Sequence, residues 1–89
     1  MAESANFTDA NLTEANMTDA NFTGANLTRA NMTRTNMTRT NLTNANMTGV
    51  NLTEANMIGA ILTGAILTGA IWSNTICPDG QVRSTPYVP

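Results

Sequence analysis

ANFTD ANLTE ANMTD ANFTG, residues 5–24, is the stretch on which the fold turns. The same frame continues as ANLTR ANMTR TNMTR TNLTN ANMTG VNLTE ANMIG AILTG AILTG AIWSN, giving fourteen pentapeptides that end at Asn74 without a slip. The first position is Ala, Thr or Val, the third is Leu, Met, Phe or once Trp, and the fourth is mostly Thr. A period of five is neither 3.6 nor 2. A helix would scatter the large apolar residues around its circumference. A strand would turn them to opposite faces in successive repeats. The period fits a backbone that turns a corner every five residues, with the small first and large third residues facing inward.

Across 70 of the 89 residues this pattern resembles the A-(D/N)-L-x-x signature of the pentapeptide repeat family. The resemblance implies an all-β fold, a right-handed quadrilateral parallel β-helix. Each pentapeptide forms one side, four sides form a coil, and fourteen repeats give about 3.5 coils. It divides the chain into a lead (1–4), the β-helix (5–74) and a capping tail (75–89). The stretch from Trp72 to Gly80, WSNTICPDG, resembles the W-S-N-T-x-C-P-D-G ending of many members.

The charges give an independent sign of a twenty-residue coil. Asp9, Glu14 and Asp19 close the first three repeats, and twenty residues later the same corners carry Arg29, Arg34 and Arg39. Glu54 follows Arg34 by twenty more. Coils rise by one inter-strand spacing, about 4.8 Å. The expected ladder is therefore Asp9–Arg29, Glu14–Arg34–Glu54 and Asp19–Arg39. Its value is register, since a slipped coil would oppose like charges.

The same arithmetic assigns four core stacks. They are Phe7, Leu27, Met47 and Leu67; Leu12, Met32, Leu52 and Trp72; Met17, Met37 and Met57; and Phe22, Leu42 and Leu62. The outward Asn columns are expected to stack between coils as amide ladders. A solenoid needs capped ends. Trp72 reads as a lid on the last coil, whereas only four residues precede Ala5, so the first coil is expected to be the less protected end. Ile58, Ile61, Ile66 and Ile71 stand where Thr or Asn stands elsewhere. Such a girdle calls for cover, by the tail through Ile76, Val82, Tyr87 and Val88, by self-association, or by another protein partner.

Composition narrows the chemistry. There is no His and no Lys, which removes a His-based triad, a Walker lysine and Schiff-base chemistry. The one cysteine, Cys77, permits no intrachain disulfide. No catalytic residue, metal set, cofactor or small-molecule substrate is expected. Four Arg against six acidic residues make no basic footprint for nucleic acid or membrane lipid. The first residues show no signal-peptide pattern, so a cytoplasmic location is the expectation. The ten N-x-T triplets between Asn6 and Thr53 are by-products of the repeat. The leading reading is a non-enzymatic structural or interaction module that presents a rigid rod. Two alternatives are a DNA-mimicking binder of a type II topoisomerase such as gyrase, as the family resemblance suggests, and binding of ice or another ordered surface by the Thr and Asn arrays.

Overall fold

The computed structural model of the chain describes residues 3–87. Parallel bridges link Asn6 to Asn26, Asn11 to Asn31, Asn16 to Asn36 and Asn21 to Asn41, and the same offset of twenty continues to Asn56–Ile76. This is the right-handed quadrilateral β-helix, with coils at residues 5–24, 25–44 and 45–64 and an incomplete fourth. Only one residue per side forms a bridge, so the sides are too short to count as extended strands. The described part measures 28 × 23 × 22 Å, a block rather than a long rod.

Each corner follows from local geometry. The N–H of Ala10 donates to the carbonyl of Phe7 at 3.0 Å, and this bond recurs every five residues. The fifth residue of each repeat sits at the third position of that turn with positive φ, for example +61° at Asp9, +57° at Arg34 and +70° at Gly64. A type II turn requires positive φ there. Gly and Asn meet that demand without strain, whereas Asp, Glu and Arg take it at a small cost. No β-branched residue occupies a fifth position of the fourteen repeats.

The core is a filled column. Leu27, Met32, Met37, Leu42, Met47, Leu52 and Met57 are all fully buried, with Ala25, Ala30, Ala45, Val50 and Ala55 beside them. Thr35 and Thr40 occupy inward first positions and are also fully buried. Their hydroxyls donate to the carbonyls of Leu12 and Met17, each 2.7 Å away in the preceding coil. Thr75 does the same to Leu52. These threonines are cross-coil staples. Because the main-chain N–H groups of Ala15 and Ala20 also donate to the Leu12 and Met17 carbonyls, neither acceptor is orphaned by removing the hydroxyl. Thr35→Val and Thr40→Val should each lower unfolding free energy by only about 0.5–1.5 kcal/mol, measured by urea denaturation.

The outer Asn and Thr residues are organised within each repeat, not between coils. Asn6 Oδ1 accepts from the N–H of Thr8 at 3.0 Å and from its hydroxyl at 2.6 Å. The same pair of bonds recurs in every repeat through Asn51–Thr53. The expected amide ladder along the axis gives way because the Asn oxygen has a nearer donor two residues on, and closing that Asx turn shapes the corner.

The first coil is not bare. Phe7 and Phe22 lie on adjacent sides with ring centroids 5.3 Å apart, and the N–H of Ser4 bonds to the carbonyl of Thr23 at 2.9 Å. Both phenylalanines of the chain fall in this coil, where their rings fill the end of the column. Phe7 and Leu12 remain only partly buried, unlike their fully buried counterparts one coil on.

At the other end the coil runs one side beyond the fourteenth repeat. Ile76 exchanges main-chain bonds with Ala55 and Met57, and Pro78 accepts from Gly59. Cys77 takes the inward position and is fully buried. The chain then turns through Pro78, Asp79 and Gly80 and pairs back on itself. Strand β1 (Thr75–Ile76) and strand β2 (Val82–Arg83) are antiparallel, with Thr75 opposite Arg83 and Ile76 opposite Val82.

Candidate functional site

The structure arranges the surface in two zones. The first is the charge ladder. Arg29 lies 2.9 Å from Asp9, Arg39 2.7 Å from Asp19, and Arg34 lies between Glu14 at 3.0 Å and Glu54 at 3.7 Å. Arg29 and Arg39 each grip their aspartate with two nitrogens. The hydrogen bond from Arg39, reinforced by its charge, holds the Asp19 carboxyl below the usual carboxylate range. The pairs are exposed on three successive corners, so they stabilise weakly and are screened by salt.

Two measurements check this ladder. Arg34→Glu, which stacks three glutamates, should lower the melting temperature, and added salt should restore part of the loss. Arg34→Gly gives up both ion pairs but relieves the left-handed corner, so its melting temperature should stay within about 5 °C of wild type. Since the Asp19 pKa is depressed in the folded chain, its contribution is complete above the unfolded value, about 3.9, and is lost as pH falls through the lower folded value.

The second zone is the C-terminal coil. Ile58, Ile61, Ile66 and Ile71 are 44–50% exposed. The tail does not cover them. Its β2 strand lies beyond the end of the coil, where Val82 pairs with Ile76 and remains exposed. Tyr87 packs towards Trp72, with ring centroids 6.3 Å apart. Val88 lies outside the described residues. The physical reason is the turn at Cys77–Gly80, which reverses the chain across the end of the column instead of down its flank. Ile61, Ile66 and Ile71 take the Asn position on three consecutive sides, and the corners at 59, 64 and 69 are all Gly. No corner side chain stands between the isoleucines.

The cap itself is a polar and aromatic chain. Asp79 accepts from the Gln81 N–H at 3.0 Å and from Arg83 at 2.7 Å. The Gln81 amide first, and then Arg83, hold its carboxyl below the usual range. Arg83 also lies 5.5 Å from the centre of the Tyr87 ring. This network gives the WSNTICPDG ending its physical role. Trp72 and Cys77 fill the column, Thr75 staples to Leu52, and Asp79 locks the reversal. Burial pushes the Cys77 thiol up, away from the reactive thiolate.

Among the described residues no group of three or more His, Cys, Asp or Glu is placed to hold a metal ion. Asp9, Glu14 and Asp19 sit on separate corners, each with its own arginine, and do not converge. The fourteen core residues predicted from the frame line the column. Of these, only Leu62 also borders an open recess, at the C-terminal end of the column.

A filled, capped four-sided β-helix defines the class of protein, and comparison with known families gives the same answer. The chain belongs to the pentapeptide repeat family. The profile for pentapeptide repeats matches residues 5–44 and 33–69. A solved pentapeptide repeat protein of the Arabidopsis thaliana thylakoid lumen is 35% identical with a TM-score of 0.80, over 82% of this chain and 51% of that one. HetL, a pentapeptide repeat protein involved in heterocyst differentiation regulation in the cyanobacterium Nostoc, is 33% identical with a TM-score of 0.58, over 91% of this chain and 40% of that one. The chain thus spans about half or less of the length of these two relatives. No curated protein matches it.

Proposed function

We propose that the chain is a non-catalytic interaction module whose contact surface is the isoleucine girdle of its C-terminal coil. The observation that carries this reading is the change of surface along the axis. Ten repeats present hydrogen-bonded Asn–Thr pairs, and the coil after them presents four isoleucines at 44–50% exposure. Exposed apolar side chains grouped in this way mark an interaction surface. The filled column argues for the surface, and not an interior cleft, as the working part.

The two other readings have less support. DNA mimicry needs a continuous negative stripe on a long rod. Here the arginines neutralise the acidic corners, and the body measures 28 × 23 × 22 Å. Ordering of ice needs hydroxyls free to bond outward, whereas the outward Thr hydroxyls of the first ten repeats donate to their own Asn partners.

The test is to return the girdle to the repeat's own residues with I58T, I61N, I66N and I71N. Asn at the second position restores the Asx turn, so the melting temperature should hold or rise. A protein captured from the source cell by the wild-type chain should be lost with the fourfold variant. Capture of the same protein at the same yield by both would overturn the proposal.

A further inference from the structure

The main chain beside the girdle carries a second, more specific signal. At every interior junction a side offers one carbonyl and two N–H groups to the coil above. Ala5 O accepts from Asn26 N, while Phe7 N and Asp9 N donate to Asn26 O and Thr28 O. On the fourth side of the last full coil the equivalent groups are Ala60 O, Leu62 N and Gly64 N. Among the described residues none of the three has a hydrogen-bond partner. The next coil that would serve them is absent, because the chain turns back at Gly80. Against this edge lies an open recess of about 560 Å³, walled by Ile61, Leu62, Ala65, Pro78 and Tyr87.

We propose that this edge takes up an extended peptide segment of a partner as an added parallel strand, with one apolar side chain in the recess. The interior junctions set the register. One peptide residue gives its N–H to Ala60 O and accepts from Leu62 N. The next points inward over Leu62. The carbonyl of the third accepts from Gly64 N. Strand addition of this kind draws affinity from main-chain bonds and specificity from the pocket. The neighbouring third side already carries an added strand, there in the antiparallel sense, since β2 pairs with β1 and Gln81 O accepts from Cys77 N at 2.8 Å. The same β2 argues against a second copy as the occupant, because its strand stands where the flat end of another coil would have to sit. The inference rests on the girdle as contact surface and adds the partner's chemistry: a short extended stretch with an apolar residue between small or polar ones.

The probe is the blocked peptide Ala-Asn-Phe-Thr-Gly, the chain's own residues 20–24, added to the isotope-labelled full chain. The Leu62 and Gly64 amide signals should shift, and their hydrogen exchange should slow by about tenfold or more. Methylating the peptide's Asn nitrogen, which removes the donor to Ala60 O, should abolish these changes, and so should replacing its Phe by Asp. Tyr87→Ala should weaken binding by about tenfold. Ile61→Lys, an outward substitution that leaves the column intact, should weaken it too by guarding the edge with charge. Equal binding by the methylated peptide, or no shift at Leu62 and Gly64 at millimolar peptide, would overturn strand addition. Neither outcome touches the girdle reading, which the capture experiment decides. Shifts at the same two amides on concentrating the chain alone, with a rise in mass, would identify a second copy as the occupant and overturn the peptide proposal.

Discussion

Leu42→Asp should unfold the chain at neutral pH. Leu42 is fully buried on the fourth side, stacked between Phe22 and Leu62. Every inward neighbour in its coil is apolar except the stapled threonines, so a carboxylate there would have no cation and no spare donor. An unpaired buried charge costs several kcal/mol, against a total stability of about 5–15 kcal/mol for a small domain. The position lies in the middle coil, so the loss breaks contacts in both directions along the column. Leu42→Met, which conserves volume, should cost less than about 1.5 kcal/mol. Circular dichroism melts of the two variants check the contrast. The carboxyl can escape its penalty only by taking a proton, so the deficit of Leu42→Asp relative to wild type should be smaller at pH 4 than at pH 7.

Trp72→Ala should cost about 3–5 kcal/mol, the range for truncating a large buried aromatic residue. Trp72 is 6% exposed, closes the second stack above Leu52 and supports Tyr87. Without it the last side and the reversal lose their common floor. In a solenoid the damage should stay near its source, because each coil contacts only its neighbours. Cys77, fully buried in the native chain, provides the readout. A thiol reagent should modify it slowly in wild type and rapidly in Trp72→Ala, while amide exchange in residues 5–24 changes little. Equal labelling rates in the two proteins would show that Trp72 is not the lid.

These two substitutions show how differently the parts of this fold are written. Leu42 is legible from sequence because inward position is a matter of counting by five. Nothing in the chain competes with that period, and a one-residue slip would turn the first- and third-position residues outward. The coil length was legible too, from Asp9, Glu14 and Asp19 facing Arg29, Arg34 and Arg39 at a spacing of twenty. The family signature and the WSNTICPDG ending read directly as repeat and terminus.

The ends were less legible, because they depend on contacts outside the period. Phe7 and Phe22 look like ordinary third-position residues until the coil brings their rings to 5.3 Å. Their confinement to the first coil was the available signal. The buried hydroxyls of Thr35 and Thr40 gave no local sign of a carbonyl twenty-three residues back. The tail was hardest. Its composition, with Ile76, Val82 and Tyr87, suits a cover for the isoleucines, yet composition says nothing of direction. The bonds from Gln81 and Arg83 to Asp79 send the chain across the end of the column.

The sequence by itself determined the repeat, the inward residues, the corners and the charge register, because each is a short-range consequence of a five-residue period repeated without error. Only the tertiary structure decided which main-chain groups are left open. Ala60 O, Leu62 N and Gly64 N hold the same places in the pentapeptide as their paired equivalents in earlier coils. They are open because no coil lies above them, and the presence of a neighbour is a property of the stacked chain, not of any pentapeptide within it.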